Sequence, residues 1–462
     1  MNCSAVRVLL AVLVLAGITV TTRYAVMLHR WPDKAPSSEA NCDNYGGIAE
    51  RLYSHGEYGE YSESRGGYRY RARRAPGLPC ALWGLYASGG GVSRWNGLLL
   101  NLACEVLTVL LLFWHATRAS RRLAVGFLVG LVYAIYLPVI LLAPYLGTEP
   151  LYTLLLLTGC LVLMPTLRLD VLAARTAWRG AATGILWGAA SLTRPILFYF
   201  PFIFLAAAAA ISLFRRRMVL ASAATVLLTC FLVVHVPWAL RNQAVLNQPV
   251  FTTTWGGNHM FQKNFVLGGF GTDNYLRAYP RATAEYRRAR AILESGAGRE
   301  LSEMSELERD RVFMNAVKET IRQHPDRFVL SSAVGVSNLW FGVDFHALPD
   351  LWTALRGLFS LMMLTLGGWG LFTGLRRGNW DVLLPACLVV YFTVLHAISV
   401  PESRYLLPMT PLLLVLAVEP ISILWQSVLK RLGSVQPAMN GTVARLSRRV
   451  RVIPFRLRDA NL

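Results

Sequence analysis

The residues best suited to chemistry are an acid and a basic residue in the first polar segment of the chain. Asp43 follows the first apolar run in the stretch NCDNYGG, and Arg74 and Pro76 end the same segment. A positioned carboxylate can accept a proton from a hydroxyl group, and a guanidinium can bind two phosphate oxygens at once. The pattern predicts chemistry on a phosphate carried by a lipid, and a solvated loop of mixed charge is the alternative.

Further polar groups occur at turns between later apolar runs. They are Glu149 in LGTEPLYT, Arg194 in SLTRPIL, and Glu402, Arg404 and Tyr405 in SVPESRYLL. Each also has a structural interpretation: a helix-capping acid, an arginine that snorkels to a lipid headgroup, or a surface ion pair. The sequence leaves both interpretations open.

The segment after the seventh apolar run contributes another arginine and a glycine-rich loop. Arg241 follows the run, a short strand is predicted at Pro249–Trp255, and Gly256–Asn258 and His259 come next. This arrangement predicts polar groups that face back toward the membrane. For His259 a hydrogen-bonding role and a role as ligand or base remain alternatives.

The composition indicates a polytopic membrane protein. Hydrophobic residues make up 54% of the 462-residue chain and charged residues 16%, and apolar runs of about 20 residues recur along it. The first run is longer than most signal-peptide cores and is interpreted as a retained anchor. We predict an all-α protein with ten spans, namely Val6–Thr22, Gly97–Trp114, Leu123–Leu146, Leu151–Leu167, Ala177–Leu192, Pro195–Phe214, Val219–Trp238, Leu351–Leu371, Val382–Ile398 and Leu406–Trp425.

The placement of arginine predicts how these spans are oriented. The net charge is +20, but the surplus lies in short connections such as Arg215–Arg217 and in the C-terminal tail. Short loops rich in Lys and Arg stay in the cytoplasm. Residues 23–96 and 239–350 are therefore predicted to lie on the outer face. The surplus marks topology and does not indicate a nucleic-acid partner.

We divide the chain into four parts on this basis. The predicted parts are an N-terminal transmembrane module at residues 1–238 that contains the first outer loop (23–96), an outer cap at 239–350, C-terminal transmembrane helices at 351–429, and a basic cytoplasmic tail at 430–462. Within the cap, residues 284–324 predict a helix with capping-box spacing at Ser305 and Glu308, and Phe328–Trp340 predicts a second one.

Two polar features inside or near the spans have uncertain roles at this stage. Asn101 and Glu105 fall within the second predicted span, where a carboxylate is costly, and a structural role for Glu105 is favoured over a functional one. Among the seven cysteines, Cys42 and Cys80 share the first outer loop, and both a disulfide and two free thiols are consistent with the sequence.

Taken in order, these pieces resemble the GT-C integral-membrane glycosyltransferases that use polyprenyl-phosphate sugars, the branch with bacterial protein mannosyltransferases and aminoarabinose transferases. The matching stretches are Asp43-x-Tyr45, Arg74-x-Pro76, Thr148-Glu149, Leu192–Pro195, Arg241-Asn242, Gly256–Asn258, His324-Pro325 and Glu402-x-Arg404-Tyr405. The resemblance implies a transmembrane helical bundle with amphipathic helices in the first outer loop and a small outer cap.

The resemblance also implies a reaction, the inverting transfer of a hexosyl or pentosyl group from a polyprenyl phosphate to a hydroxyl of a lipid, glycan or protein acceptor. Asp43 matches the catalytic aspartate. The residues expected to bind the donor phosphate or substrate are Arg74, Arg194, Arg241, Arg404, Glu149, Tyr45, Asn258, Glu402 and Tyr405. The expected location is the plasma membrane of a bacterium, with the site on the periplasmic or extracellular face.

Two departures from the family pattern bear on metal use and on the acceptor. Asn44 stands where protein mannosyltransferases carry a second acid, and Arg74 replaces the lysine of aminoarabinose transferases. A divalent metal therefore remains open, and no cysteine or histidine spacing resembles a zinc site. A transporter or flippase for a lipid-linked sugar and a non-catalytic scaffold are the alternative functions. A transporter usually shows internal repeats and polar groups near mid-membrane.

The predicted orientation can be tested by cysteine labelling in intact cells, on a background without the native cysteines. A cysteine at Ser62 should react with a membrane-impermeant reagent, and one at Met218, beside the Arg215–Arg217 run, should be protected. The reverse labelling pattern would contradict the predicted topology.

Overall fold

The computed structural model shows a bundle of helices. It describes residues 3–36, 43–62, 67–167, 173–215, 219–265, 300–342 and 351–449, together with 291, 293–296 and 298. The helices are α1 (Cys3–Arg30), α2 (Tyr45–His55), α3 (Gly77–Leu85), α4 (Arg94–Ser120), α5 (Leu123–Ala134), α6 (Leu137–Leu142), α7 (Glu149–Leu163), α8 (Ala173–Thr193), α9 (Phe200–Arg215), α10 (Val219–Leu246), α11 (Gly256–Phe265), α12 (Glu306–Gln323), α13 (Pro325–Phe341), α14 (Leu351–Arg376), α15 (Leu383–Ile398) and α16 (Met409–Arg449).

Eight helical segments in the described residues are long and apolar enough to cross a membrane. They lie in α1, α4, α7, α9, α10, α14, α15 and α16, so the predicted count of ten spans is not confirmed. The predicted span Leu123–Leu146 is divided into α5 and α6, since Pro138 occupies the first turn of α6. The predicted span Ala177–Leu192 lies in α8, where Arg179 and many small residues lower the hydropathy.

Helix α8 packs closely against α10 because it presents glycines to it. A Cβ atom at Gly180 would lie 2.4 Å from the carbonyl oxygen of Ala223, and one at Gly184 would lie 2.4 Å from that of Leu227. Small residues let helix backbones approach in this way within membranes. The close packing fixes the outer end of α8, where Arg194 begins the turn to α9.

The first outer loop contains α2, a β-hairpin and α3. Strands β1 (Glu60–Ser62) and β2 (Gly67–Tyr70) pair antiparallel, with Tyr61 opposite Tyr68. The amphipathic helices predicted for this loop correspond to α2 and α3, and the hairpin is an addition to them. The strand predicted at Pro249–Trp255 is wrong, since that stretch is irregular. Cys42 lies outside the described residues, so the predicted alternatives for Cys42 and Cys80 are not tested.

The outer cap has a small hydrophobic core of its own. Phe261 of α11 packs with Phe313 and Val317 of α12, and all three side chains are buried. The capping box predicted at Ser305 and Glu308 is confirmed as the start of α12. The second predicted cap helix corresponds to α13.

One carboxylate of the cap holds the first outer loop in place. Glu306, at the start of α12, accepts hydrogen bonds from the backbone N–H groups of Arg71 and Ala72 at 3.1 and 3.2 Å and from the Thr254 hydroxyl at 2.9 Å. The N–H of Thr254 in turn donates to the carbonyl of Ala72 at 3.1 Å. The backbone immediately before Arg73 and Arg74 is thus fixed by a buried acid far away in the sequence.

Replacing Glu306 with alanine should destabilise the protein. The variant leaves several donors without their acceptor, and each buried unsatisfied group costs about 1–3 kcal/mol. Thermal unfolding in detergent measures the loss. Glu319→Ala is the matched control, because Glu319 lies on the same helix and accepts hydrogen bonds from Arg322 and Gln323 at the exposed surface. Equal unfolding temperatures for the two variants would contradict the assigned role.

Candidate active site

Asp43 is positioned by the turn that starts α2. Asn44 adopts a left-handed conformation (φ 59°, ψ 19°), which asparagine tolerates better than most residues. Its side chain folds over the first turn of α2, where a Cβ atom at Gly47 would lie 2.4 Å from the Asn44 Oδ1 atom. Asn44 therefore stabilises the backbone turn that starts α2. It occupies the position at which the protein mannosyltransferase pattern has a second acid.

Both oxygens of the Asp43 carboxylate face arginines. Arg74 Nη2 lies 3.0 Å from Oδ1, and Arg404 Nη1 lies 3.6 Å from Oδ2. Arg74 is also 3.4 Å, through Nε, from Glu60 Oε1, and Arg73 lies 3.2 Å from the other Glu60 oxygen. Arg73 and Arg74 thus share the Glu60 carboxylate, and Arg74 also contacts Asp43.

A second ion pair joins the start of α7 to the end of α8. Arg194 Nη1 lies 2.9 Å from Glu149 Oε1, and both side chains are mostly buried. Thr148 makes no capping hydrogen bond with its side chain, so the acid acts here as the partner of an arginine. Gly77 brings this corner close to Arg74, because a Cβ atom there would lie 2.4 Å from the Thr193 hydroxyl oxygen.

The connection between α15 and α16 joins the two groups of charges. Arg404 contacts Glu402 as well as Asp43. The ring of Tyr405 lies between two guanidiniums, with its centroid 4.4 Å from Arg194 and 5.3 Å from Arg404. Four segments that are distant in sequence therefore converge on one cluster, which we call the arginine–acid cluster: Asp43, Glu60, Arg73, Arg74, Glu149, Arg194, Glu402 and Arg404.

The arginines determine the charge state of the acid at the centre. Burial raises the pKa of Asp43, but Arg74, Arg404 and Arg194 together lower it by more, so the pKa lies below its ordinary value. Burial raises the pKa of Glu402 above its ordinary value, against the opposing effect of Arg404. Asp43 is therefore ionised at neutral pH.

Other predicted residues occupy different positions. Tyr45 is buried beside the cluster, with its ring centroid 5.7 Å from the Arg74 guanidinium. Arg241 instead donates to the carbonyl oxygens of Tyr58 and Arg71 at 2.6 and 2.7 Å, which ties α10 to the first loop. Asn258 is buried in the first turn of α11, where its backbone N–H and that of Gly257 bond to Asp310.

Sequence reasoning does not predict two members of the arginine–acid cluster, Glu60 and Arg73. The only signal for them is that a run of arginines near a membrane needs acidic partners. For nearby His259 the sequence does not decide between two roles. Burial, with Arg74 and Arg73, lowers the pKa of His259 to about 3, so it is neutral at physiological pH and lies close to the charged groups.

An open cavity of about 50 Å³ adjoins the cluster. Asp43, Glu149 and Arg404 line its charged side, and Val139, Leu142 and Leu407 contribute apolar walls. The arrangement combines an ionised acid, several guanidiniums and a recess with both polar and apolar walls.

The acids of the site are not arranged to hold a metal ion. Within the described residues, no group of three or more His, Cys, Asp and Glu side chains has suitable geometry. Asp43, Glu149 and Glu402 each contact an arginine instead. In this arrangement each of these acids is paired with a guanidinium.

The comparisons with known proteins concern the fold. No protein-family model matches the chain, and no curated protein matches it. Two structures of the oligosaccharyltransferase of Archaeoglobus fulgidus are similar to it. AglB in complex with an inhibitory peptide and a dolichol-phosphate has a TM-score of 0.56 at 12% identity, covering 100% of this chain and 53% of that one. The complex with Zn and sulfate has a TM-score of 0.55 at 14% identity, covering 93% and 51%.

ArnT from Cupriavidus metallidurans bound to undecaprenyl phosphate is also found, at 14% identity over 88% of this chain and 77% of that one. Its TM-score of 0.36 is too low for a comparison of positions. The chain spans about half the length of the oligosaccharyltransferase chains it matches. The GT-C fold predicted from the sequence is confirmed, and the chain is a multi-pass membrane protein of that fold.

Proposed function

We propose that the protein is an inverting glycosyltransferase that moves a single hexosyl or pentosyl group from a polyprenyl phosphate to an acceptor hydroxyl. The observation that carries the proposal is the position of Asp43, an ionised acid with an arginine facing each of its oxygens, at the wall of an open cavity. The fold supports it, and a protein of the same fold is described in complex with a dolichol-phosphate. The acceptor class remains lipid, glycan or protein.

In this reaction the acceptor oxygen attacks the anomeric carbon while Asp43 takes the hydroxyl proton. The bond between that carbon and the phosphate oxygen breaks, and its electron pair stays on the phosphate. The leaving phosphate gains negative charge, which preorganised cations stabilise best in a site that excludes water. Arg74, Arg194 and Arg404 supply these cations, and Arg241 and Asn258 support the loops that carry the site.

The pairing of each arginine with an acid has a consequence for the order of events. In the free protein the arginines keep the pKa of Asp43 low, which makes it a weak base. A bound phosphate offsets part of the arginines' charge, so the pKa of Asp43 should rise once the donor is present. The acid thus becomes a better proton acceptor when there is a substrate to use it.

The site is proposed to lie on the periplasmic or extracellular face of a bacterial plasma membrane. Two long polar segments of the chain, residues 23–96 and 239–350, carry nearly equal numbers of basic and acidic residues, and the first of them contains Asp43 and Arg74. The short connections on the other side, such as Arg376–Arg377, are rich in arginine, and this difference supports the proposed orientation. The outer leaflet is also where a donor lipid would present its phosphate to these loops.

Asp43→Asn should abolish most turnover and preserve donor binding. The amide keeps the shape of the side chain and cannot accept the proton, so turnover should fall roughly 10²–10⁴-fold. Affinity for undecaprenyl phosphate should not fall, because it depends on the arginines. Turnover can be followed by mass spectrometry on purified protein in detergent, with lipid-linked sugars extracted from the source cells.

Asp326→Asn is the control for this substitution, since Asp326 is an exposed acid at the start of α13. Near-wild-type turnover of folded Asp43→Asn would remove Asp43 from the mechanism. A wild-type protein without any turnover in detergent would contradict the transferase and favour a transporter or scaffold.

Arg194→Ala and Arg404→Ala should weaken the binding of undecaprenyl phosphate itself. A hydrogen bond to a charged group is worth about 1.5–3 kcal/mol, which corresponds to roughly a 10- to 100-fold loss of affinity. Titration of the lipid phosphate into purified protein measures it. Arg322→Ala, an exposed arginine of α12, should have no effect. Unchanged affinity in both site variants would assign the two arginines to a structural network.

A further inference from the structure

Helix α13 of the outer cap exposes an apolar face. Val329, Leu330, Ala333 and Val336 are all exposed, and Val329 and Leu330 are each 67% exposed. At 3.6 residues per turn these four positions fall within about 120° of the helix circumference. We call them the apolar face of α13. Apolar side chains exposed together in this way mark a surface that meets a lipid or a protein partner.

The opposite face of α13 packs against the rest of the protein. Lys263 of α11 donates from Nζ to the Ser332 hydroxyl at 2.7 Å, and its ammonium lies 4.5 Å from the centroid of the Phe328 ring. Gly335 lets α13 approach the end of α15, because a Cβ atom there would lie 2.9 Å from the carbonyl oxygen of Ala397. Within the part of the chain that the structure describes, the apolar face is therefore the side of α13 that packing leaves uncovered.

The C-terminal end of α13 lies level with a membrane-spanning helix. A Cβ atom at Gly357 would lie 3.7 Å from the Phe341 carbonyl oxygen. Gly357 belongs to the segment Thr353–Arg376 of α14, which is long and apolar enough to cross a membrane. Leu339 and Trp340 are buried in the hydrophobic core that also contains side chains of α15 and α16. This end of α13 is thus at membrane depth.

The side of α14 that faces lipid adjoins α13. Leu351, Leu355 and Leu358 follow one another at helical spacing and are all exposed. Because α14 is one of the spanning helices, lipid covers this row of side chains. The two helices pack against each other, so the lipid around α14 is also next to α13.

The N-terminal end of α13 is polar, and the helix is short. His324, Pro325 and Asp326 are exposed at its start. The 17 residues of α13 give it a length of about 25 Å, which is less than the roughly 30 Å of a bilayer's hydrocarbon core. A short helix with one apolar face and a polar end is typical of a segment that lies in the membrane interface.

We propose that α13 binds the membrane surface as a helix inclined in one leaflet, with its apolar face against lipid and its N-terminal end among the headgroups. The partner is the bilayer itself, because the apolar face continues the surface that α14 presents to lipid. The leaflet is the one next to the arginine–acid cluster, since α13 contacts the turn Ser403–Leu406, which carries Arg404.

This position of α13 links the lipid surface to the candidate site. A Cβ atom at Gly335 would lie 3.4 Å from the Pro401 ring, immediately before Glu402. Lipid that holds α13 in place therefore also holds the connection between α15 and α16 that presents Arg404. This consequence rests on the proposed function when it is measured as binding of a lipid phosphate, whereas the contact of α13 with lipid does not.

The accessibility of spin labels tests the lipid contact. Full-length protein without its native cysteines is reconstituted into vesicles of equal parts phosphatidylcholine and phosphatidylglycerol. Labels at Val329→Cys, Leu330→Cys and Ala333→Cys should collide with oxygen, which concentrates in lipid, more than with a water-soluble nickel chelate. Leu358→Cys on α14 is the reference for lipid, and Glu319→Cys, at an exposed position of α12, is the reference for water.

Collision rates on α13 that match those of Glu319→Cys would overturn the proposal. Protection of the three labels from both reagents would overturn it as well, because a protein such as a second copy of this chain would then cover the apolar face.

Two further variants test the link to Arg404. Gly335→Val separates α13 from the connection without changing the apolar face, and Leu330→Asp lifts that face from lipid. Each folded variant should bind undecaprenyl phosphate about tenfold more weakly in the same vesicles. Gly368→Val is the matched control, since a Cβ atom at this helical glycine of α14 would have no neighbour within 4 Å among the described residues.

Unchanged affinity in folded Gly335→Val and Leu330→Asp would contradict the link to Arg404. A wild-type protein that shows lipid contact at α13 but does not bind undecaprenyl phosphate would contradict the proposed function and support the membrane-bound helix. The two proposals can therefore fail separately.

Discussion

The pairing of buried acids with arginines is the interaction on which the outer face of this protein depends. A charge removed from water is strongly destabilising when it stands alone, so each acid there requires a guanidinium nearby. The partners come from different connections of the bundle, Arg74 from the first loop, Arg194 from the end of α8 and Arg404 from the turn before α16. The same contacts therefore close the bundle on this side and assemble the site. Because the negative charges of the acids offset the positive charges of the arginines, the cluster is also close to neutral without a bound anion.

Much of this arrangement followed from the sequence because it rests on local signals. Apolar runs identified most of the spans, and the capping box at Ser305 identified the start of α12. The bias of arginine toward short connections made Arg194 and Arg404 stand out, and the structure places both beside Asp43. The predicted spans that did not match are apolar runs of sufficient length that a local feature interrupts. One example is Pro138, which lies in the first turn of α6 and separates it from α5.

The parts that escaped prediction are contacts between residues far apart in the chain. Arg23 meets Glu105 across 82 positions, and Glu306 meets Arg71 across 235. No periodicity or spacing reports such a pair, because each side chain alone resembles an ordinary polar residue on a helix. A structural role is expected for Glu105, and its pairing with Arg23 agrees with that, but its position in the wall of the cavity beside Asp43 emerges only from the packing. Arg241 donates to two backbone carbonyls of the first loop, which its motif did not predict, and its role toward a donor stays a prediction.

The position of Arg23 also bears on how the protein is made. Helix α1 is synthesised before α4 and α5, so Arg23 is made before its partners Glu105 and the carbonyls of Tyr133 and Ala134. A lone arginine in an apolar span is disfavoured in lipid, by about 2.5–3.5 kcal/mol at the centre of a helix and by less toward its end. Helix α1 should therefore remain near the insertion machinery until α4 and α5 emerge, and the three should enter the lipid as one unit. A leader sequence that was cleaved and discarded would leave Glu105 without its counter-ion.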